Sequence, residues 1–227
     1  MTVMVWDMKG LSHERTLQGH QGVVRGVSIV EGRVVSCGQD KEVRVWELGG
    51  GRCEHVLRGH TDDVRGVSAS SDGRLAASCS FDKTVRVWDL GTGQEVSTME
   101  GHTDKVFGVA MAGDGSTVVS CSWDMSVRVW DVLSGSEVGS PMKAPSQPGS
   151  TGSVGSVGSM GSVALKRLAM TGHEKEVLDV AITSDGGWAV SGSVDGTVRI
   201  WDVGTGGQLT KCQGHSDWVM GVAVTPN

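Results

Sequence analysis

The chain has 227 residues, 38% of them hydrophobic but only 4% aromatic, and a formal net charge of −6 from 20 Lys+Arg against 26 Asp+Glu. That balance supplies no overall basic field for a phosphate backbone or an anionic membrane, so nucleic acid is disfavoured as the main ligand. No apolar run reaches the length of a membrane span, and the start (MTVMVWDMKG) lacks the basic stretch and apolar core of a secretion signal; the expected compartment is the cytoplasm or nucleus.

Taken in chain order, a short alternating run from Thr2 ends on Val5-Trp6-Asp7, and a Gly-His pair follows at Gly19-His20. The same two signals then recur: Trp46, Trp88, Trp130 and Trp201 each close a Val-x-[Val/Ile]-Trp-[Asp/Glu] run, and further Gly-His pairs stand at His60, His102, His173 and His215. From His60, His102 and His173 the next Asp of the pattern lies 22 positions on and the Trp 28 on; from His20 the two spacings are 20 and 26. A period of about 42 residues points to a propeller-type array. The repeats run approximately 19–58, 59–100, 101–138 and 172–213, with partial repeats at 1–18 and 214–227. Each should contain four short strands separated by turn residues, for example Val64 to Ala69, Leu75 to Ser80, Thr84 to Trp88 and Glu95 to Met99. Each repeat needs its neighbours to bury both faces, so the whole chain is expected to form one all-β domain.

Lined up on the Trp, SCGQDKEVRVWE (36–47), SCSFDKTVRVWD (78–89), SCSWDMSVRVWD (120–131) and SGSVDGTVRIWD (191–202) match closely. The chain resembles the WD40 repeat family over nearly everything outside one inserted segment. The resemblance implies a WD40 β-propeller with four complete blades and one split, incomplete blade. It also implies a structural hydrogen-bond network in each complete repeat: His20/Ser36/Asp40/Trp46, His60/Ser78/Asp82/Trp88, His102/Ser120/Asp124/Trp130 and His173/Ser191/Asp195/Trp201. In each, Asp orients His, His reaches Ser, and Ser meets the indole N–H. The same Ser, His and Asp could suggest a nucleophilic triad, but a triad needs an exposed Ser Oγ beside an oxyanion site. Four equivalent copies locked by an indole argue for structure, so no enzymatic activity is expected.

Other residue series read as structural too. Cys37, Cys79 and Cys121 share one repeat position and should pack inside a strand, too far apart for disulfides. Cys53 and Cys212 leave an odd total of five cysteines. No Cys-x-x-Cys or His-x-x-x-His pair exists, so neither metal nor cofactor is expected. Arg44, Arg86, Arg128 and Arg199 stand two residues before each Trp, where the stem can pack between blades while the guanidinium meets solvent or an acid. Gly19, Gly59, Gly101, Gly172 and Gly214 read as turn glycines, since none opens a phosphate-binding pattern before a helix.

Two irregularities are particular to this chain. The spacing from Trp to the next Gly-His glycine is 13 residues, but from Trp130 to Gly172 it is 42. The 29 extra residues lie largely in the Gly/Ser/Pro-rich tract Gly139 to Val163, expected to be a disordered loop between the third and fourth strands of its blade. Ser140-Pro141 inside it has the form of a proline-directed phosphorylation site. At the ends, the two partial repeats together lack the positions equivalent to Gly73 through Asp82, a whole second strand. The chain therefore reads as part of a larger propeller, and the open edge of the incomplete blade invites self-association.

By resemblance to the family, residues before the turn Asp and on either side of the first Val of strand one rim the top of the central channel. Phe81, Phe107 and Trp123 fall there and should form one apolar patch, rimmed by Arg25, Asp63, Arg65, Lys105 and Glu176, with Trp218 and Met220 further around. The expected function is a non-catalytic scaffold that binds a protein or peptide on this top face, with no small-molecule substrate and no membrane. One alternative is a substrate-receptor or sensor segment of a larger multidomain protein. Another is an RNA-binding propeller, which would need a continuous basic rim; here acids interrupt it.

Overall fold

The computed structural model describes residues 1–10, 12–137 and 169–225. Its described residues contain eighteen strands in five antiparallel sheets. The first sheet has two strands, β1 (Thr2–Asp7) and β2 (Ser12–Gln18). Four sheets of four strands follow. They are β3 (Val24–Val30), β4 (Arg33–Gly38), β5 (Glu42–Glu47) and β6 (Cys53–Arg58); then β7 (Val64–Ala69), β8 (Leu75–Ser80), β9 (Thr84–Asp89) and β10 (Gln94–Glu100). The next two are β11 (Val106–Met111), β12 (Thr117–Ser122), β13 (Ser126–Asp131) and β14 (Ala169–Thr171); and β15 (Val177–Ile182), β16 (Trp188–Ser193), β17 (Val198–Asp202) and β18 (Gln208–Cys212). Strand order within every sheet is sequence order, so each is a simple meander of hairpins. These are four complete propeller blades and one incomplete one.

The third strands are buried on both faces, which is why Val-x-[Val/Ile]-Trp is apolar at every position except the Arg. Alternation sends Val43 and Val45 one way and Arg44 and Trp46 the other. Successive blades meet accordingly: Val35, Cys37, Val43, Val45 and Leu57 of one blade pack with Val64, Ala76, Trp88 and Leu90 of the next. Equivalent layers join the second and third full blades around Trp130, and the third and fourth around Trp201. The two-stranded sheet lends Val3, Val5 and Leu17 to the layer around Val34 and Trp46. A fully buried Trp of this kind is worth about 3–5 kcal/mol against Ala.

A size complementarity runs through the inner strands. Gly26, Gly66 and Gly108 sit opposite Cys37, Cys79 and Cys121 in the ladders. A Cβ on Gly108 would come within 2.8 Å of the Cys121 Sγ. In the fourth full blade the pair is inverted: Asp179 stands opposite Gly192, the larger residue having moved to the other strand. All three thiols are wholly buried, and burial pushes the Cys37 thiol up to about 12. The five cysteines are free.

One sequence expectation changes. The glycines preceding His20, His60, His102 and His173 are not in the left-handed region; they are small because an arginine lies over them. A Cβ on Gly101 would sit 2.9 Å from the Arg128 Nη1. Of the five Gly-His glycines only Gly214 has a positive φ, +149°.

The insertion lies between β13 and β14, the third and fourth strands, as expected, and follows directly on an isolated bridge where the fourth-strand pairing begins. Glu137 bridges Trp130 as Glu95 pairs with Trp88, and Ala169 pairs with Arg128 as Thr98 pairs with Arg86. Between Glu137 and Ala169 lie 31 residues, where Glu95 and Thr98 are separated by two. The insertion thus begins at the position that the bulge residue Val96 holds in the second full blade. Gly139 to Val163, with Ser140, lies outside the described residues.

At the other end, residues 213–225 belong to none of the strands but pack on the fourth full blade. The Val219 N–H donates to the Ser193 carbonyl at 3.0 Å and the Val222 N–H to the Asp179 carboxylate at 2.8 Å.

Candidate binding site at the channel mouth

The site is built outward from the four buried networks. Their serines are Ser36, Ser78, Ser120 and Ser191, paired in turn with Trp46, Trp88, Trp130 and Trp201. In every network the Trp Nε1–H donates to the Ser Oγ at 2.8 Å and the His Nε2 lies 2.8 Å from the same Oγ. The His Nδ1 lies 2.8–2.9 Å from the Asp carboxylate. A carboxylate can only accept, so Nδ1 carries the proton, Nε2 accepts from the Ser hydroxyl, and the histidine is neutral. Burial depresses the His102 and His173 pKa against the raising influence of Asp124 and Asp195. Burial pulls the partner acids upward, but the hydrogen bonds that Asp82 accepts from His60, Thr61 and Thr84, and Asp124 from His102, Ser126 and Thr103, outweigh it. Both carboxyls stay well below the usual carboxylate range.

The serines therefore do not belong to any reachable site. Ser36, Ser78, Ser120 and Ser191 are each 0% exposed, sealed in the middle of β4, β8, β12 and β16. Each Oγ already accepts from an indole and gives its proton to a histidine, so neither its lone pair nor its hydrogen is free for a substrate or a partner. The resemblance to a Ser-His-Asp triad is one of residue types alone.

The carboxylates of the same networks fix the loops above. Asp124 accepts the Thr103 N–H at 3.0 Å and the Ser126 N–H at 3.0 Å, tying the loop after Gly101-His102 to the turn between β12 and β13. The Trp123 N–H then donates to the Lys105 carbonyl at 3.0 Å; in the neighbouring blade the Phe81 N–H donates to the Asp63 carbonyl at 2.9 Å. Each residue before a turn Asp is thereby locked beside the residue that opens strand one. The left-handed turns at Lys83 (φ 72°) and Met125 (φ 66°) close these corners.

Strand one contributes its bulge. The ladder slips between Val24 and Gly26, Val64 and Gly66, Val106 and Gly108, and Val177 and Asp179. The extra residues are Arg25, Arg65, Phe107 and Leu178. A bulge frees its residue from the pleat and re-aims its side chain. Here Arg65, Phe107 and Leu178 line a shared central cavity of about 280 Å³, together with Val27, Asp179 and Met220.

These constraints bring three rings together. Phe107 stacks on Trp123 with centroids 4.9 Å apart and planes 13° apart, and lies 5.1 Å from Phe81. Two cations lie on the rings: Lys105 Nζ is 4.8 Å from the Phe81 centroid and 5.0 Å from that of Trp123, and Arg65 Cζ is 5.4 Å from Phe107. Trp123 is 36% exposed. Arg25 makes a loose 3.5 Å pair with Asp63. Glu176 is half-buried and its backbone carbonyl takes the Val194 N–H and the Ser193 hydroxyl. Met220 reaches the cavity, whereas Trp218 is exposed on the flank and joins none of the ring pairs. Asp179 has its pKa raised by burial in the channel wall, partly offset by the Val222 N–H. Among the described residues no three His, Cys, Asp or Glu side chains gather as a metal site, and no helix is long and apolar enough to cross a membrane.

The family model for the WD domain, G-beta repeat, matches residues 11–47, 51–89, 93–131 and 165–202. The chain belongs to the WD40 repeat family. Curated relatives include the transcriptional repressor rco-1 of Neurospora crassa, 46% identical over 55 residues, which are 24% of this chain and 9% of that protein. The chromatin assembly factor 1 subunit FAS2 homolog of Oryza sativa subsp. japonica is 43% identical over 54 residues, 24% of this chain and 11% of the relative. The nuclear distribution protein PAC1-2 of Postia placenta is 40% identical over 50 residues, 22% and 12% respectively. The chain thus matches only about a tenth of each relative's length.

Two features of the mouth were hidden in the WD40 sequence, and a third had no meaning without the packing. The bulge was carried by the repeated Val-x-Gly but reads as an ordinary strand. The cation caps depend on loop geometry. The inversion of Gly/Cys to Asp179/Gly192 was visible in the repeat alignment, and only the packing gives it meaning.

Proposed function

We propose that this WD40 array is a non-catalytic scaffold that binds a protein or peptide at the channel mouth, through Phe81, Phe107 and Trp123 with Arg65 and Lys105 around them. The observation that carries this reading is the partly exposed three-ring stack. Large rings held rigid by backbone hydrogen bonds lose little entropy on binding, and aromatic anchors inside a polar rim concentrate interface energy. The four tetrads are structural in this reading: they hold the loops that carry the anchors. The relatives named as a transcriptional repressor and a chromatin assembly factor subunit support work within regulatory assemblies, nuclear as well as cytoplasmic.

The test is crosslinking capture from cell extract with paired variants. Phe107→Ala with Trp123→Ala should abolish capture of partners while the circular dichroism spectrum stays unchanged. Trp188→Ala, at the start of β16 and also exposed, should leave capture intact. Loss with Trp188→Ala and retention with the double variant would place the binding surface elsewhere.

A further inference from the structure

Two cations at the mouth lack the carboxylate partner that several arginines of the molecule have. Arg33, Arg44, Arg86 and Arg128 each meet a carboxylate, and Arg25 has Asp63. Among the described residues Arg65 and Lys105 meet none within salt-bridge distance; both lie on ring faces instead. The acids that face this region are otherwise engaged or further round: Asp63 turns to Arg25, Asp179 lines the cavity with Arg65 and feels its charge beyond salt-bridge distance while holding the Val222 N–H, and Glu176 belongs to the next blade. The ring faces carry negative quadrupole, and the two cations already occupy it. An incoming cation would find those faces taken and two like charges beside them. An incoming carboxylate finds two half-buried cations that give up no existing ion pair to receive it.

Cations and rings alternate at the mouth: the second full blade brings Arg65 and Phe81, the third Lys105 with the Phe107–Trp123 stack. In an extended chain, neighbouring side chains point to opposite sides. A carboxylate and an adjacent apolar side chain can therefore meet a cation and a ring edge at once.

Resting on the binding role proposed above, we infer that the mouth selects an acidic peptide segment in which Asp or Glu adjoins a large apolar residue. The carboxylate lies between Arg65 and Lys105, and the apolar side chain covers Phe107 and Trp123. Charge complementarity at a partly desolvated site gives selectivity between partners more than raw affinity.

The experiment titrates the full chain against fluorescein-labelled peptides that alternate Glu-Leu, Gln-Leu, Lys-Leu or Glu-Gly, reading anisotropy, with a labelled oligouridylate alongside. The Glu-Leu peptide should bind at least about tenfold more tightly than Gln-Leu at low ionic strength, with the advantage shrinking as salt is added. Lys-Leu should not bind, and Glu-Gly only weakly. Arg65→Gln and Lys105→Met should each cut the Glu-over-Gln preference several-fold; Lys105→Met keeps an aliphatic stem on the rings if Arg65→Gln disturbs the fold. Equal binding of Glu-Leu and Gln-Leu, or tighter binding of Lys-Leu, would overturn the acidic selectivity while leaving a peptide-binding mouth. Binding of the oligouridylate in place of every peptide would overturn it too. Should no peptide bind while extract capture still depends on Phe107 and Trp123, the acidic-segment inference fails and the scaffold reading stands. Glu-Leu binding that persists in the Phe107→Ala/Trp123→Ala double variant would show both to be assigned to the wrong surface.

Discussion

Val3 to Asp7 (VMVWD) and Val127 to Asp131 (VRVWD) differ at one position, yet their tryptophans live in different surroundings. Trp130 is 1% exposed and donates its indole N–H to Ser120. Trp6 is 55% exposed and rests edge-on against His13. The strand itself is the same in both: β1 pairs with β2 in the bulged register that β9 keeps with β10. What differs is the second strand. β12 brings the Ser, its turn brings the Asp, and β11 and its loop bring the His; β1 is paired on one side alone. The motif therefore secures a strand, while its tertiary neighbours decide whether the indole becomes core.

The sharpest way to break that comparison is to truncate both indoles. Trp130→Ala should cost about 3–5 kcal/mol, because it opens a cavity between two blades and strips Ser120 of its donor. Trp6→Ala should cost less than about 1 kcal/mol, since an exposed side chain away from the core has little to lose. Urea midpoints of the two variants decide it; equal losses would mean that β1 is covered in solution as β13 is.

Next in size is the histidine of the same network. His102→Ala takes away the acceptor of the buried Ser120 hydroxyl and one of the donors to Asp124, at about 1–3 kcal/mol for a buried group left unsatisfied. His215, which follows the fifth glycine of the pattern but is exposed, should be replaceable by Ala with almost no effect. Thermal melts of both variants provide the measurement. A large loss at His215 would show that the fifth repeat owns a network after all.

That contrast also measures how much the sequence could say. The tetrad of His102, Ser120, Asp124 and Trp130 was legible because a fixed spacing repeats around a shared geometry. The same spacing marked Ser36, Ser78 and Ser191, but only the packing of β4, β8 and β16 shows how completely those hydroxyls are shut away. Strands such as Val64–Ala69 and Leu75–Ser80 were legible from alternation between turn residues. The insertion's place between a third and a fourth strand was legible from spacing and composition, but the Trp130–Glu137 bridge just before it was not. Nor were the cation caps on Phe81, Trp123 and Phe107 legible, since they arise from corners closed by Asp82 and Asp124 on separate blades. The pairing of Asp179 with the Val222 N–H spans 43 residues and has no local signature.

Acid should separate the complete networks from the rest of the molecule. His102 and His173 have pKa values below the ordinary 6.5 in the fold, so below that pH the unfolded chain binds more protons and stability is lost as pH falls. Asp82, Asp124 and Asp195, also depressed, add a second loss below their ordinary 3.8. Asp179 acts with the opposite sign: its raised pKa favours the fold at low pH and withdraws that contribution as pH rises. The expected profile of urea midpoint against pH is a plateau above about pH 7 and a decline that begins near pH 6.5. In Asp179→Asn the decline should be steeper relative to its own plateau, because the opposing group has gone. A midpoint constant down to about pH 5 would contradict neutral, proton-donating histidines in the tetrads.

The smallest effect should come from repairing the interrupted fourth strand. Glu137 and Ala169 occupy the positions of Glu95 and Thr98, so replacing residues 138–168 by Val-Ser, as in Val96-Ser97, restores the uninterrupted form. Closing a shorter loop costs less entropy, and the cost grows only logarithmically with length, so stability should rise by between zero and about 1–2 kcal/mol. Arg128 should keep Glu137, its 2.9 Å partner. Matched urea melts, with hydrogen exchange at the Met170 amide as a local probe, test this. A clear loss of stability would mean that the inserted residues contribute to the blade, and that the bulge is more than a point of exit.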